Sequence, residues 1–257
     1  ALPFMERSIQ EGIPFFSVIW FHAPHLPCVA GPQQVALYKD LDLQQRNYYG
    51  CITALDEQIG RLVDYLKAKN IYENSIILFC SDNGPELETP GSPENFRGKK
   101  RSLYEGGIRV PSLMCWPAKL AKGSKLGVPC STVDYMPTLL DIVNVSNNKE
   151  LVLDGESLWP KLMKHETNRI KPLVFCSGYQ GAVIDMDYKL YYTKGKYELY
   201  NIAKDPSEKN DISAAYPEKK ERLEKCLKEN VEDYRQSFEK GKTEDLVDWQ
   251  DWWNIWK

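Results

Sequence analysis

His22 and His25 stand three positions apart in His22-Ala23-Pro24-His25-Leu26-Pro27, directly after an apolar run over residues 15–20. Asp82 and Asn83 stand in Ser81-Asp82-Asn83-Gly84-Pro85-Glu86, directly after a second apolar run over residues 76–80. A third polar cluster, residues 96–111, holds Arg97, Lys99, Lys100 and Arg101 and then runs through Tyr104-Glu105-Gly106-Gly107-Ile108-Arg109-Val110-Pro111. The chemistry open to these groups differs by type. An imidazole can pass a proton near neutrality, a carboxylate beside an amide offers the hard oxygens that Ca²⁺ prefers, and a lysine ammonium is a compact charge for an anion. Taken singly each cluster has a plainer reading. Asp-Asn-Gly is a natural turn, a basic loop is usually only solvated, and a histidine after a strand can be a polar cap.

The elements that must position these groups follow from the pattern. Two apolar runs read as strands that deliver their polar loops at their carboxyl ends, the edge of an open α/β sheet where ligands bind. Residues 44–70 between them read as a helix, because Ile52, Leu55, Ile59, Leu62, Val63 and Leu66 recur at three- and four-residue steps. Strand, helix and strand in that order predict a βαβ unit with parallel strands. Residues 110–116 read as a further buried strand. Residues 131–143 read as a helix, with Ser131 or Thr132 as cap and Pro137 as an irregularity. From about residue 171 the texture changes to short strands at 172–176, 182–186, 189–193 and 197–202, with Thr193-Lys194-Gly195-Lys196 inviting a hairpin. Such spacing favours an antiparallel sheet. A charged amphipathic helix follows over residues 217–241, with Leu223, Cys226, Leu227, Val231, Tyr234 and Phe238 on one face. The expected fold class is α/β over residues 1–170, a mixed or parallel sheet flanked by helices, with a small antiparallel α+β subdomain over residues 171–257. Trp249, Trp252, Trp253 and Trp256 in the tail are expected to cover an apolar groove.

The composition narrows the class. The chain has 257 residues, 42% hydrophobic and 27% charged, enough for one large core or one core and a smaller one. A net charge of −3 gives no basic field for nucleic acid or an acidic membrane, and no apolar stretch reaches the roughly 20 residues that span a bilayer. Seven cysteines lie scattered, without a CxxC pair or zinc spacing. Asn144-Val145-Ser146 is a glycosylation sequon that matters only in a eukaryotic secretory protein. The first residue is Ala1 rather than Met, which suggests a cleaved or trimmed product, and an extracytoplasmic location is expected.

The three clusters together resemble the sulfatase family of the alkaline-phosphatase-like superfamily, which carries an HxPHxP-like loop, an SDNG loop, and a GxK element running into YEGGxRVP, in that order. YEGGIRVP is the most specific of the three. The resemblance continues through Val133-Asp134-Tyr135-Met136-Pro137-Thr138, Leu153-Asp154-Gly155-Glu156-Ser157-Leu158, Glu198-Leu199-Tyr200-Asn201 and Asp205-Pro206, and so covers nearly the whole chain.

The resemblance implies roles residue by residue. Asp82 and Asn83 match calcium ligands. Lys100, four positions before Tyr104, matches a lysine that contacts the sulfate and the bridging oxygen. His22 matches the histidine that binds the ester and can protonate the departing alcohol, and His25, the second histidine of the pattern, is a candidate to touch substrate or to orient the loop. Arg97, Lys99 and Arg101 are candidates to recruit a polyanion, while Glu86, Tyr104, Glu105 and Arg109 are expected to hold the loops. The family's nucleophile is a formylglycine made in a CxPSR or CxAGR signature, and none of the seven cysteines lies in one; Cys28-Val29-Ala30-Gly31-Pro32 fails at Pro32. Ca²⁺ takes about six to eight oxygens and Asp82 with Asn83 offers at most about three. The chain is therefore expected to be the C-terminal portion of a calcium-dependent sulfatase acting on a sulfate ester, with carbohydrate as the favoured carrier and the remaining ligands and the nucleophile on its N-terminal part. Alone it is expected to be inactive. The alternatives are a phosphoester or phosphonate-ester hydrolase of the same superfamily and a noncatalytic anion-binding fragment.

Overall fold

The computed structural model describes residues 1–146, 152–164 and 166–241. The tail tryptophans and His165 lie outside the described residues. In chain order the elements are α1 (Leu2–Gln10), α2 (Pro32–Ala36), α3 (Leu43–Ala68), β1 (Ile77–Cys80), α4 (Glu105–Ile108), β2 (Ser112–Cys115), α5 (Tyr135–Ile142), α6 (Trp159–Lys164), β3 (Leu173–Ser177), β4 (Gln180–Asp185), β5 (Tyr188–Thr193), β6 (Lys196–Asn201) and α7 (Pro217–Gly241). The class is mixed α/β, with one sheet of order β1-β2 and one of order β3-β4-β5-β6 among the described residues. They form two compact units, Ala1–Cys80 with Glu86–Ser92 and Ser112–Lys122, and Ser81–Pro85 with Pro93–Pro111 and Gly123–Lys257. These lines differ from a division at residue 170.

In the first unit the long helix forms as the periodicity requires. The Asp42 carboxylate accepts from the Gln45 amide at 2.9 Å and caps its first turn. The parallel βαβ pair is not formed. Residues 15–20 are extended, with Phe16 (71%), Val18 (59%) and Trp20 (92%) exposed and the residues between them half-buried, yet no strand among the described residues pairs with them. A period of two marks an extended segment, but a strand also needs a neighbour at hydrogen-bonding distance, and alternation does not say where that neighbour comes from. β1 pairs instead with β2, antiparallel, from Ile77 opposite Cys115 to Cys80 opposite Ser112. β2 is not fully buried as expected, since Ser112 and Leu113 face out.

In the second unit the four late strands form a meander whose two faces both bury. Ala182, Ile184, Tyr191 and Tyr200 pack with Leu103, Leu173 and Ile202, against Tyr104 and Ile108 of the 96–111 segment. Val183, Leu190, Tyr192 and Leu199 pack on the other face with Leu223, Leu227 and Val231 of α7. Each of those three α7 side chains contributes about 1.5–3 kcal/mol by leaving water. Lys194 (φ 48°) and Gly195 (φ 83°) are both left-handed, the backbone of a two-residue hairpin turn. The sheet therefore serves the segment that bears Lys100: one of its faces is that segment's floor.

Candidate functional site

Asp82 and Asn83 leave β1 at its carboxyl end, where the Ser81 amide donates to the Pro111 carbonyl at 3.3 Å. Asp82 is exposed. The Asn83 side chain donates from Nδ2 to the Gly84 carbonyl at 2.8 Å, which leaves its amide oxygen as the available donor atom. The next residue has to be glycine. A Cβ on Gly84 would stand 1.9 Å from the Gly106 carbonyl oxygen, and the Gly84 amide donates to the Gly107 carbonyl at 2.8 Å. Gly106 and Gly107 are as tightly placed, since a Cβ on either would meet the carbonyl oxygen of Gly98 at 2.2 Å or of Ser102 at 1.9 Å. The glycines of the Asp-Asn-Gly turn and of Tyr-Glu-Gly-Gly are thus two halves of one backbone packing.

The same interlock carries Lys100. Its amide donates to the Pro85 carbonyl at 3.0 Å, and the Ser102 amide donates to the Lys99 carbonyl at 3.0 Å. Arg101 turns left-handed at φ 72° immediately afterwards. The structure therefore ties the segment of Asp82 and Asn83 to the segment of Lys100 by main-chain hydrogen bonds, within one compact unit. Among the described residues no group of three or more His, Cys, Asp or Glu side chains could hold a metal. A donor set of one carboxylate and one amide oxygen fits Ca²⁺ in kind and fills up to about three of its six to eight positions.

His22 and His25 lie in the other unit. Their rings face each other with centroids 5.2 Å apart, and the His25 amide donates to the His22 carbonyl at 2.9 Å, closing the turn. Both side chains are exposed. His25 Nδ1 lies 2.7 Å from the Leu26 carbonyl, and because a carbonyl only accepts, that nitrogen is the donor. The peptide bonds before Pro24 and Pro27 are cis. Further on the loop rests on α3: the Ala30 amide donates to Asn47 Oδ1 at 3.1 Å.

The residues expected to hold the loops do so by buried polar contacts. Glu105 forms an ion pair with Lys189 of β5 at 3.0 Å, and Lys189, fully buried, forms a second with Glu208 at 2.9 Å. Glu208 also accepts from the Glu105 amide at 2.6 Å. Burial pushes the Glu208 carboxyl up, against the pull of Lys189. Tyr104 and Tyr200 donate their hydroxyls to the same Glu198 oxygen at 2.7 and 2.6 Å. Burial would raise the Glu198 carboxyl, but the hydrogen bonds from Lys196, Tyr200 and Tyr104 outweigh it and hold the group down at about 2. Arg97, a candidate to recruit a polyanion, is also held by packing, with its side chain still 43% exposed. Its guanidinium lies 3.8 Å from the Tyr104 ring centroid and donates to the Tyr200 hydroxyl at 3.0 Å and the Glu208 carbonyl at 3.1 Å. Lys189 and Glu208 were missed from sequence. The available signal was a charge inside the apolar run Tyr188-Lys189-Leu190-Tyr191-Tyr192, in a strand buried on both faces.

Comparison with known proteins identifies the family. The family model described as Sulfatase matches residues 2–145, more than half of the chain. A second, described as N-sulphoglucosamine sulphohydrolase, C-terminal, matches residues 96–237. The uncharacterized sulfatase YdeN of Escherichia coli (strain K12) is 34% identical over 186 residues, which are 70% of this chain and 32% of that protein. A sulfatase of Formosa agariphila is 31% identical over 259 residues, 88% of this chain and 46% of its own length. Among solved structures, Ps i-CgsB in complex with k-i-k-neocarrahexaose superposes with a TM-score of 0.80 at 28% identity, over 91% of this chain and 52% of that one. The chain spans between about a third and about half of the length of these proteins. With its Asp-Asn-Gly and Tyr-Glu-Gly-Gly turns interlocked and a sulfatase model matched over more than half of its length, the chain belongs to the sulfatase family.

Proposed function

We propose that this chain carries the calcium-holding and sulfate-holding part of a sulfatase that hydrolyses sulfate esters on carbohydrate. The observation that supports it best is the main-chain interlock of Gly84 with Gly107 and of Pro85 with Lys100, which couples a pair of hard oxygen donors to a lysine ammonium. Asp82 and Asn83 Oδ1 would hold Ca²⁺, which supplies Lewis-acid charge to a sulfate oxygen. Lys100 holds the sulfate and neutralises the charge that grows on the bridging oxygen as the sulfur–oxygen bond breaks. His22 gives its proton to the departing alcohol, and His25 keeps the substrate side of that loop in order. No cysteine of this chain lies in a CxPSR or CxAGR element, so the formylglycine nucleophile and the remaining metal ligands come from additional, N-terminal sulfatase polypeptide. Carbohydrate is favoured because the Ps i-CgsB structure holds a neocarrahexaose.

The test joins the chain to such a polypeptide and follows hydrolysis of an aryl sulfate and of a sulfated oligosaccharide. Lys100→Ala and His22→Ala should each lower kcat/KM by about 10²–10³, and a calcium chelator should abolish turnover, with Ca²⁺ restoring it. Full activity of the Lys100→Ala enzyme, or turnover indifferent to the chelator, would reject the assignment.

A further inference from the structure

Lys100 sits in a segment that makes an unusual demand on its neighbours, because the turn after it is left-handed at a residue with a side chain, Arg101 (φ 72°). Such a conformation costs an L-residue roughly 1–2 kcal/mol unless the surroundings hold it. The Ser102 amide closes the turn onto the Lys99 carbonyl at 3.0 Å, and one side chain of the late sheet adds to that hold. Gln180, the first residue of β4, donates from Nε2 to the Arg101 carbonyl at 2.8 Å and accepts at Oε1 from the Leu103 amide at 3.0 Å. One amide group thereby takes up the two main-chain groups on either side of Ser102, as a neighbouring strand would. Gln180 is itself oriented. The Tyr191 hydroxyl donates to the same Oε1 at 3.0 Å, and the Tyr191 ring stacks on Tyr104 with centroids 3.9 Å apart. Further along, Glu198 receives Tyr104, and Lys189 with Glu208 receives Glu105. The stretch from Arg101 to Glu105 is thus pinned at successive points to three adjacent strands, and Gln180 is the pin nearest to Lys100.

We infer that Gln180 is a positioning residue for Lys100: its side-chain amide sets the left-handed turn at Arg101 and so fixes where the Lys100 ammonium is presented to an anion. The inference rests on the reading of Lys100 as the sulfate contact and goes beyond it by naming the group that aims it. Gln180 touches no reacting atom in this scheme.

The test uses the full chain and two readouts. The first is hydrogen exchange at the amides of Lys100 and Ser102, which Gln180 does not touch. Gln180→Ala should speed both by about tenfold, the size of one net hydrogen bond. Gln180→Glu keeps the acceptor for Leu103 but loses the donor to Arg101, and should leave Leu103 protected while Lys100 and Ser102 speed up by an intermediate factor. Tyr191→Phe, which removes one hydroxyl and keeps the stacked ring, should give a smaller change in the same direction and serves if Gln180→Ala does not fold. The second readout is the response of the Lys100 side-chain resonances to inorganic sulfate, whose apparent Kd should rise about tenfold in Gln180→Ala while the melting temperature changes little. Faster exchange confined to Leu103, or a sulfate Kd equal to that of the unaltered chain, would overturn the inference. Absence of any sulfate response at Lys100 in the unaltered chain would instead overturn the reading of Lys100, and the exchange rates would still decide the role of Gln180.

Discussion

Gly84 shows how little freedom the candidate site has at single positions. Adding one methyl there drives a Cβ to 1.9 Å from the Gly106 carbonyl oxygen, and neither partner is a flexible side chain that could move aside. Gly84→Ala should therefore destabilise the second unit by about 1–3 kcal/mol, read as a lower urea midpoint. Gly60, in the middle of α3 with nothing within 4 Å of an added Cβ, is the contrast. Gly60→Ala should stabilise by about 0.5–1 kcal/mol. Glu198 carries a pH dependence. Its native carboxyl is held at about 2, against an ordinary value of 4.5, so between those values the unfolded chain binds the proton that the folded one refuses. The stability it contributes is complete above pH 4.5 and is lost as pH falls toward 2. Melting temperatures measured from pH 6 to pH 2 should drop less steeply for Glu198→Gln than for the unaltered chain.

Among the elements, the 131–143 segment depends on a charge pair rather than on its own propensity. Ser131 and Asp134 form a reciprocal cap before α5, and Asp134 also accepts from the Glu156 amide at 3.0 Å and from both terminal nitrogens of Arg169 at 2.8 Å. Asp134 and Arg169 are buried almost completely. Arg169→Met leaves that carboxylate dry and without its cation, and should cost about 3–5 kcal/mol in urea unfolding, part of which Asp134→Asn in the same chain should recover. An equal loss in the single and the double variant would show that the arginine acts through its packing alone. The sequence expectation of a helix over 131–143 with Ser131 or Thr132 as cap is met by α5 and, before it, by a short turn over Thr132–Asp134 that Ser131 caps, because capping and periodicity are local signals. Arg169, thirty-five residues away from Asp134, was not legible in the sequence.

At the scale of the whole chain, the described residues hold an extended apolar run with one side in water. Residues 15–20 expose Trp20 at 92% and Phe16 at 71%, and Ile13 and Phe21 beside them are also exposed. An unpaired strand with apolar side chains on a face in water invites pairing with another chain. The isolated chain should aggregate through this segment, and Phe16→Lys with Trp20→Lys should raise the concentration at which light scattering appears without lowering the melting temperature. If scattering is unchanged, the association runs through another surface.

Local order set much of this protein before any packing was considered. The positions of α3 and α7, the four strands of the late sheet, the hairpin at Lys194-Gly195 and the three polar loops all follow from periodicity and turn chemistry, which act over a few residues. Which strand neighbours which did not, because alternation is blind to the partner: β1 pairs antiparallel with β2, and residues 15–20 stay unpaired among the described residues. Tertiary structure alone also decided that Arg97 stacks on Tyr104, that Lys189 stands buried between two carboxylates, and that Gln180 holds the turn beside Lys100. Two of these contacts, Glu105 with Lys189 and Arg101 with Gln180, join residues about eighty positions apart, and the Arg97 and Glu208 contacts depend on how the chain folds over the late sheet, which periodicity does not encode.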